Sequence, residues 1–125
     1  WFLHAKAEQP QQLAPGIYAR CNANLDTPWP KLVRLRTAFS QTDRADNQAL
    51  FALMQDDWRP ADDMLPETGV GFAVERQLSS IFIRGEKYGT RATSLLRMGT
   101  DSMQLTERSF AAGGRPAGEC SLVVA

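Results

Sequence analysis

The sequence predicts an α+β protein in which two helices lie over a mainly antiparallel sheet. Three observations predict it: short aromatic and β-branched runs near the start, two central tracts whose apolar residues recur at helical spacing, and strand-like segments separated by glycine-rich turns in the last third. Two strands, two helices and then three or four strands give that layering.

Residues 1–6 (WFLHAK) and 16–22 (GIYARCN) read as strands, because EQPQQLAPG at 8–16 holds two prolines and ends in the turn pair Pro15-Gly16. A helix is expected to begin near Pro28: Thr27 is a capping residue type, and Pro28 and Pro30 fall in a first turn, where a missing N–H costs little. Leu32, Leu35 and Phe39 follow at helical spacing, Val33 widens the stripe, and the helix ends near Gln41. Asp46 is positioned to cap a second helix with Leu50, Phe51, Leu53 and Met54 on its apolar face, stopped by the run from Asp56 to Pro60. Residues 60–71 (PADDMLPETGVG) carry prolines, glycines and acids without a period, which describes a surface loop of the kind that edges a site. Residues 72–80 give a turn of helix. Strand signal then returns at Ile81-Phe82-Ile83, 90–98, 103–110 and 120–124, the last three reading as a meander of hairpins.

Fourteen Lys and Arg against fourteen Asp and Glu give a formal charge of zero, with no block of either sign to attract a phosphate backbone or an anionic lipid surface. Nucleic acid is therefore not an expected partner. No apolar run approaches the ~20 residues of a membrane span and the start has no signal-peptide pattern, so a cytoplasmic protein is expected, with an organelle lumen as the alternative. The chain opens on Trp1-Phe2-Leu3, which reads like the middle of a strand and leads to the expectation of a processed chain or a piece of a longer protein. Cys21 and Cys120 stand far apart and His4 has no neighbouring ligand types, so the spacing points to no zinc site. The acids Asp56, Asp57, Asp62 and Asp63 follow no ligand pattern, and a solvated loop accounts for them.

Two tracts hold residues that could carry chemistry. The first, Asn22 to Lys31, packs amides, a carboxylate, an indole and an ammonium into a strand-to-helix junction. Asn22 or Asn24 could donate to a developing oxyanion or hold a substrate carbonyl there. Equally, the Asn and Asp residues could satisfy local backbone groups, with Trp29 an ordinary core aromatic. The second is Tyr88-Gly89-Thr90-Arg91, where Arg91 enters a half-buried strand and could clamp a carboxylate through two parallel hydrogen bonds or pair with an acid on the sheet rim. Cys21 beside Asn22 is a thiol with no credible base in the sequence, which leaves a small buried hydrophobe as its reading.

Taken together, GIYARCNANLDTPWPK at 16–31, LSSIFIRGEKYGTRATSLL at 78–96 and TERSFAAGGRPAGE at 106–119 resemble the C-terminal half of the Asn-Arg-Asp-Glu family, also called the transport and Golgi organisation protein 2 family. The resemblance covers nearly the whole chain, and the loop at 50–71 fits it as well. It implies part of an αββα sandwich like that of N-terminal-nucleophile hydrolases, with 1–125 either a single domain or the C-terminal half of a larger one. Family members begin Met-Cys, and the freed N-terminal Cys aligns with the nucleophile of those hydrolases. This chain has neither that element nor the namesake tract, and Cys21 stands where the family usually has Ser. Carried over by residue, Asn22 matches the oxyanion or substrate-binding Asn, Asp26, Trp29 and Lys31 match the rest of its motif, and Tyr88, Thr90 and Arg91 match the second motif.

The resemblance implies two functions. In one, the intact protein is an amide- or ester-cleaving hydrolase to which this chain brings Asn22 as the catalytic donor and Asp26, Trp29, Lys31, Tyr88, Thr90 and Arg91 as substrate-binding residues, while the nucleophile comes from a missing N-terminal half. In the other it is a non-catalytic haem- or lipid-handling protein, with haem or an acyl compound in the same cleft. No cofactor is required by either, and neither His4 nor the methionines have a spacing that marks an axial ligand to haem. A chain that folds only with its other half is a third expectation, with an apolar sheet face or open edge left bare.

Overall fold

In the computed structural model, residues 1–3 and 8–125 are described, and the secondary structure is that of an α+β protein: three α-helices and a three-stranded antiparallel sheet. Helix α1 spans Pro30–Gln41, two residues later than the sequence suggests. The Thr27 hydroxyl donates to the Asn24 carbonyl at 2.9 Å and so closes a turn instead of capping a helix. Trp29, which precedes a proline and is thereby held extended (ψ 142°), becomes the N-cap, with Pro30 in the first position. Helix α2, Asn47–Met54, starts as expected, with the Asp46 carboxylate accepting from the N–H groups of Gln48 and Ala49. Helix α3 occupies Phe72–Leu78.

Strands β1 (Ala92–Met98), β2 (Met103–Phe110) and β3 (Pro116–Val124) form the meander, in the order β1-β2-β3. β3 begins four residues earlier than its apolar signal, since pairing with β2 carries the ladder through Gly118 to Pro116 past an irregularity at Ser109/Phe110. The expected strand at 16–22 does not form. Ala19 commits its backbone groups to Asp26, four residues past the end of that segment, and no ladder partner is left for it. At the start of the chain Phe2 makes one antiparallel bridge with Gln11; the rest of the expected first strand, with His4, lies outside the described residues. Ile81-Phe82-Ile83 is likewise no strand: the Phe82 N–H reaches the Asp56 carbonyl and the Ile83 N–H reaches the Thr90 hydroxyl.

The core consists of Leu32, Leu50, Phe51, Phe82 and Phe110. Phe82, 1% exposed, meets Phe110 edge to face with ring centroids 4.8 Å apart. Helix α2 covers the inner face of the sheet, where Arg108 stacks on the Phe51 ring and donates to Gln48, and Arg97 donates to Asn47. Thr93 and Thr106 are buried on that face. The outer face is different. Register puts Leu96, Leu105 and Leu122 in one row and Met98, Met103 and Val124 in the next, and all six are exposed, Met98 by 72%.

Two glycines fix how the loops meet this framework. A Cβ on Gly85 would stand 2.1 Å from the Tyr88 carbonyl oxygen, so the turn before Thr90 can close only around glycine. Gly114, in the short 3-10 turn Ala112–Gly114, has φ +74° and packs so tightly on Phe82 that a Cβ would stand 2.6 Å from the ring.

Candidate functional site

Residues 19–26 form a closed loop ahead of α1. The Asp26 N–H donates to the Ala19 carbonyl and the Ala19 N–H returns a bond to the Asp26 carboxylate, both at 2.9 Å. Asp26 is also 3.4 Å from the Arg36 guanidinium on α1, and it holds φ +55°. This geometry presents Cys21 and Asn22 toward the N-terminal turn of α1, where Lys31 sits.

Two hollows meet there. One, of about 430 Å³, runs between the 17–22 segment, α1, α2 and β1, with apolar walls that include Leu35, Phe39, Leu53 and Leu95. The other, of about 170 Å³, lies between Trp29, the loop residues Pro66, Thr68 and Val70, and Glu75 on α3. Asn22 and Lys31 line both. They stand at the junction of the two hollows, both walled mainly by apolar surface, the position an amide donor and an ammonium need in order to meet a ligand's polar group while its apolar part is buried.

Charge is arranged around this passage. The Lys31 ammonium donates to the Leu78 carbonyl at 2.7 Å, at the end of α3. Burial pushes the Cys21 thiol above its ordinary pKa, and the nearby charge of Lys31 opposes that rise. The Thr68 hydroxyl and N–H both donate to Glu75 and hold its carboxyl below the usual range, against the contrary effect of burial. Among the described residues no group of three or more His, Cys, Asp or Glu is placed to share a metal ion, and both cysteines are free.

Of the residues singled out in the sequence, the fold brings Asn22, Trp29 and Lys31 together at the second hollow. The Asp26 carboxylate is turned back on its own loop and lines neither of these hollows. Tyr88, Thr90 and Arg91 also line neither. Tyr88 is 61% exposed, Thr90 closes its turn through paired bonds with Ile83, and Arg91 is exposed, its carbonyl accepting from the Phe110 N–H. Glu75 was not legible as a wall of the site. It is an unremarkable helical Glu in FAVERQL, and only the fold brings Thr68 onto it.

The molecule is thus an α+β domain whose apolar hollow is lined by Asn22 and Lys31. A sequence profile of the family described as Transport and Golgi organisation 2 matches residues 1–112, and the chain belongs to this family. It is 28% identical over 114 residues to the Transport and Golgi organization protein 2 homolog of Bos taurus, an alignment covering 82% of this chain and 41% of that protein. The chain therefore spans less than half the length of this curated relative. No solved structure matches it.

Proposed function

We propose that this chain is the pocket-bearing part of an N-terminal-nucleophile amide or ester hydrolase, with Asn22 as oxyanion donor and Lys31 as the cation that orients the substrate's polar end. The observation that carries this reading is the shared position of Asn22 and Lys31 between the two hollows. The acyl portion would enter the apolar hollow, leaving its carbonyl at the passage beside the Asn22 amide. The thiolate of an N-terminal Cys, supplied by an upstream half, would attack that carbonyl and form a C–S bond. The C–N or C–O bond then breaks, the leaving group takes a proton from the α-ammonium, and water hydrolyses the thioester. Trp29 walls the smaller hollow; Tyr88, Thr90 and Arg91, outside both hollows, are given no step. The bare outer face of the sheet is consistent with the second sheet of an αββα sandwich lying against it.

The test uses the full-length protein incubated with an activated ester and read by intact-mass spectrometry. A covalent acyl adduct that accumulates more slowly in Asn22→Ala is the expected result. No adduct with any activated ester or lactam overturns the reading.

A second reading is favoured by one observation: Arg20 and Arg36 also line the apolar hollow, and hydrolysis has no use for them. An apolar wall with cations suits an amphiphilic anion, so non-catalytic handling of haem or an acyl carboxylate is the alternative. Saturable binding of such a ligand without turnover, weakened in Arg36→Ala, would select it.

A further inference from the structure

We propose that Asp26 is a positioning residue for Asn22: its carboxylate and its left-handed backbone close the 19–26 loop and so set where the Asn22 amide stands in the passage. The proposal rests on Asn22 being the polar donor of the site.

The two bonds between Asp26 and Ala19 form a reciprocal pair, N–H to carbonyl in one direction and carboxylate to N–H in the other, each at 2.9 Å. They pin the loop at both ends. The remaining bonds across this stretch span only three residues, from the Arg20 guanidinium to the Ala23 carbonyl and from Thr27 to the Asn24 carbonyl, so none of them ties the loop to its base. Arg36, 3.4 Å from the same carboxylate oxygen, fastens the closed loop to α1, the helix that also carries Lys31. The two residues that line both hollows are thus held in one frame, Lys31 by its helix and Asn22 by Asp26.

The backbone points the same way. Asp26, at φ +55°, is the one non-glycine with positive φ among the described residues. A side chain in that region is disfavoured, and it persists where surrounding bonds over-determine it, commonly at functional sites. Glycine would adopt the same φ without strain but would give up the carboxylate. Asparagine tolerates the conformation and keeps an oxygen that can accept from the Ala19 N–H. The pair of substitutions separates backbone comfort from the bond that fixes the loop.

The experiment compares Asp26→Gly and Asp26→Asn in a Cys120→Ser background of the full chain. One readout is the side-chain amide signal pair of Asn22 by NMR, identified through its loss in Asn22→Ala. The other is the rate at which Cys21, next to Asn22, reacts with 5,5′-dithiobis(2-nitrobenzoate). In Asp26→Gly the exposed Asn22 amide should lose its fixed surroundings, so that its signals shift from the parent position, and Cys21 should react about tenfold faster, as loss of one well-made part-buried bond allows. Asp26→Asn should restore both, the rate to within about twofold of the parent. A merely stabilising role would move the melting temperature and leave the Asn22 signals in place, which overturns the proposal, as does failure of Asn to rescue. Should Asp26→Gly lose its cooperative melt, hydrogen exchange at the Ala19 N–H of the parent decides: protection supports the clamp and free exchange overturns it. None of these readouts needs turnover, so absence of an acyl adduct would defeat the hydrolase reading and leave this result standing.

Discussion

The ammonium of Lys31 donates to the main-chain carbonyl of Leu78 at 2.7 Å, joining the first turn of α1 to the last residue of α3. The carbonyls at the end of a helix lack intrahelical partners and carry partial negative charge, so a cation is favoured there twice over. The same side chain lines both hollows. One residue therefore fastens two helices and furnishes the site's positive charge, and its replacement should be felt in both roles.

Lys31→Met keeps the aliphatic stem and removes the donor. Stability should fall by about 1–3 kcal/mol, the cost of a charged hydrogen bond lost from a half-buried carbonyl. Chemical denaturation of the two proteins under one set of conditions measures it, and an unchanged midpoint would show that the bond contributes nothing.

The two thiols should react in separate phases. Cys120 is exposed on β3, whereas Cys21 is half-buried and its pKa is raised by burial. An exposed-thiol reagent at neutral pH should give a fast phase abolished by Cys120→Ser and a slow phase abolished by Cys21→Ser. Because the charge of Lys31 lowers the Cys21 pKa, Lys31→Met should slow the second phase further. Acceleration of that phase would contradict the sign argued here.

Acid should destabilise the fold below the ordinary carboxylate range. Glu75 is held down by the Thr68 hydroxyl and N–H; at Asp56 burial acts upward but is outweighed by the bond from Arg34, the Trp58 N–H and the Arg34 charge. A carboxyl whose pKa is lowered by folding contributes stability above its unfolded value, roughly 4, and loses it as pH falls through the folded value. Melting temperature should stay level from pH 7 to 5 and decline below about 4. Glu75→Gln should make that decline shallower, and a slope identical to the parent's would remove Glu75 from the account.

Gly114→Ala should be among the most costly single-methyl additions in the chain. The new Cβ meets the Phe82 ring at 2.6 Å, and φ +74° is strained for alanine. Overpacking and the left-handed backbone together predict a loss of about 2–4 kcal/mol. Gly118, with open space around it, serves as the control in which Ala should be nearly neutral. Equal effects at the two positions would refute the packing argument.

The elements legible in the sequence are those whose instructions are local. The Asp46 cap, the apolar spacing from Leu32 to Phe39 and the turn residues between the strands act within a few positions, and α1, α2 and the meander follow from them. The failures come where a distant or side-chain bond overrides propensity. Ile17 to Cys21 has strand composition, yet Asp26 takes the backbone groups of Ala19; Ile81 to Ile83 is strand-like too, yet Asp56 and Thr90 supply its partners. In the site, Asn22, Trp29 and Lys31 were legible because they sit close together in the chain. Glu75 was not, because its partner Thr68 and the hollow they wall are products of the tertiary fold.

The meander has a kinetic consequence. Every strand pairs only with its neighbour in sequence, and the turn between β1 and β2 is closed within a few residues by the Gly99 N–H on the Ser102 carbonyl. Short loops cost little closure entropy, and hairpins of this kind assemble on the microsecond scale. Local closure of this kind predicts that the carboxyl-terminal third forms before the helices settle onto its inner face, so refolding should show sheet structure preceding the burial of Phe51.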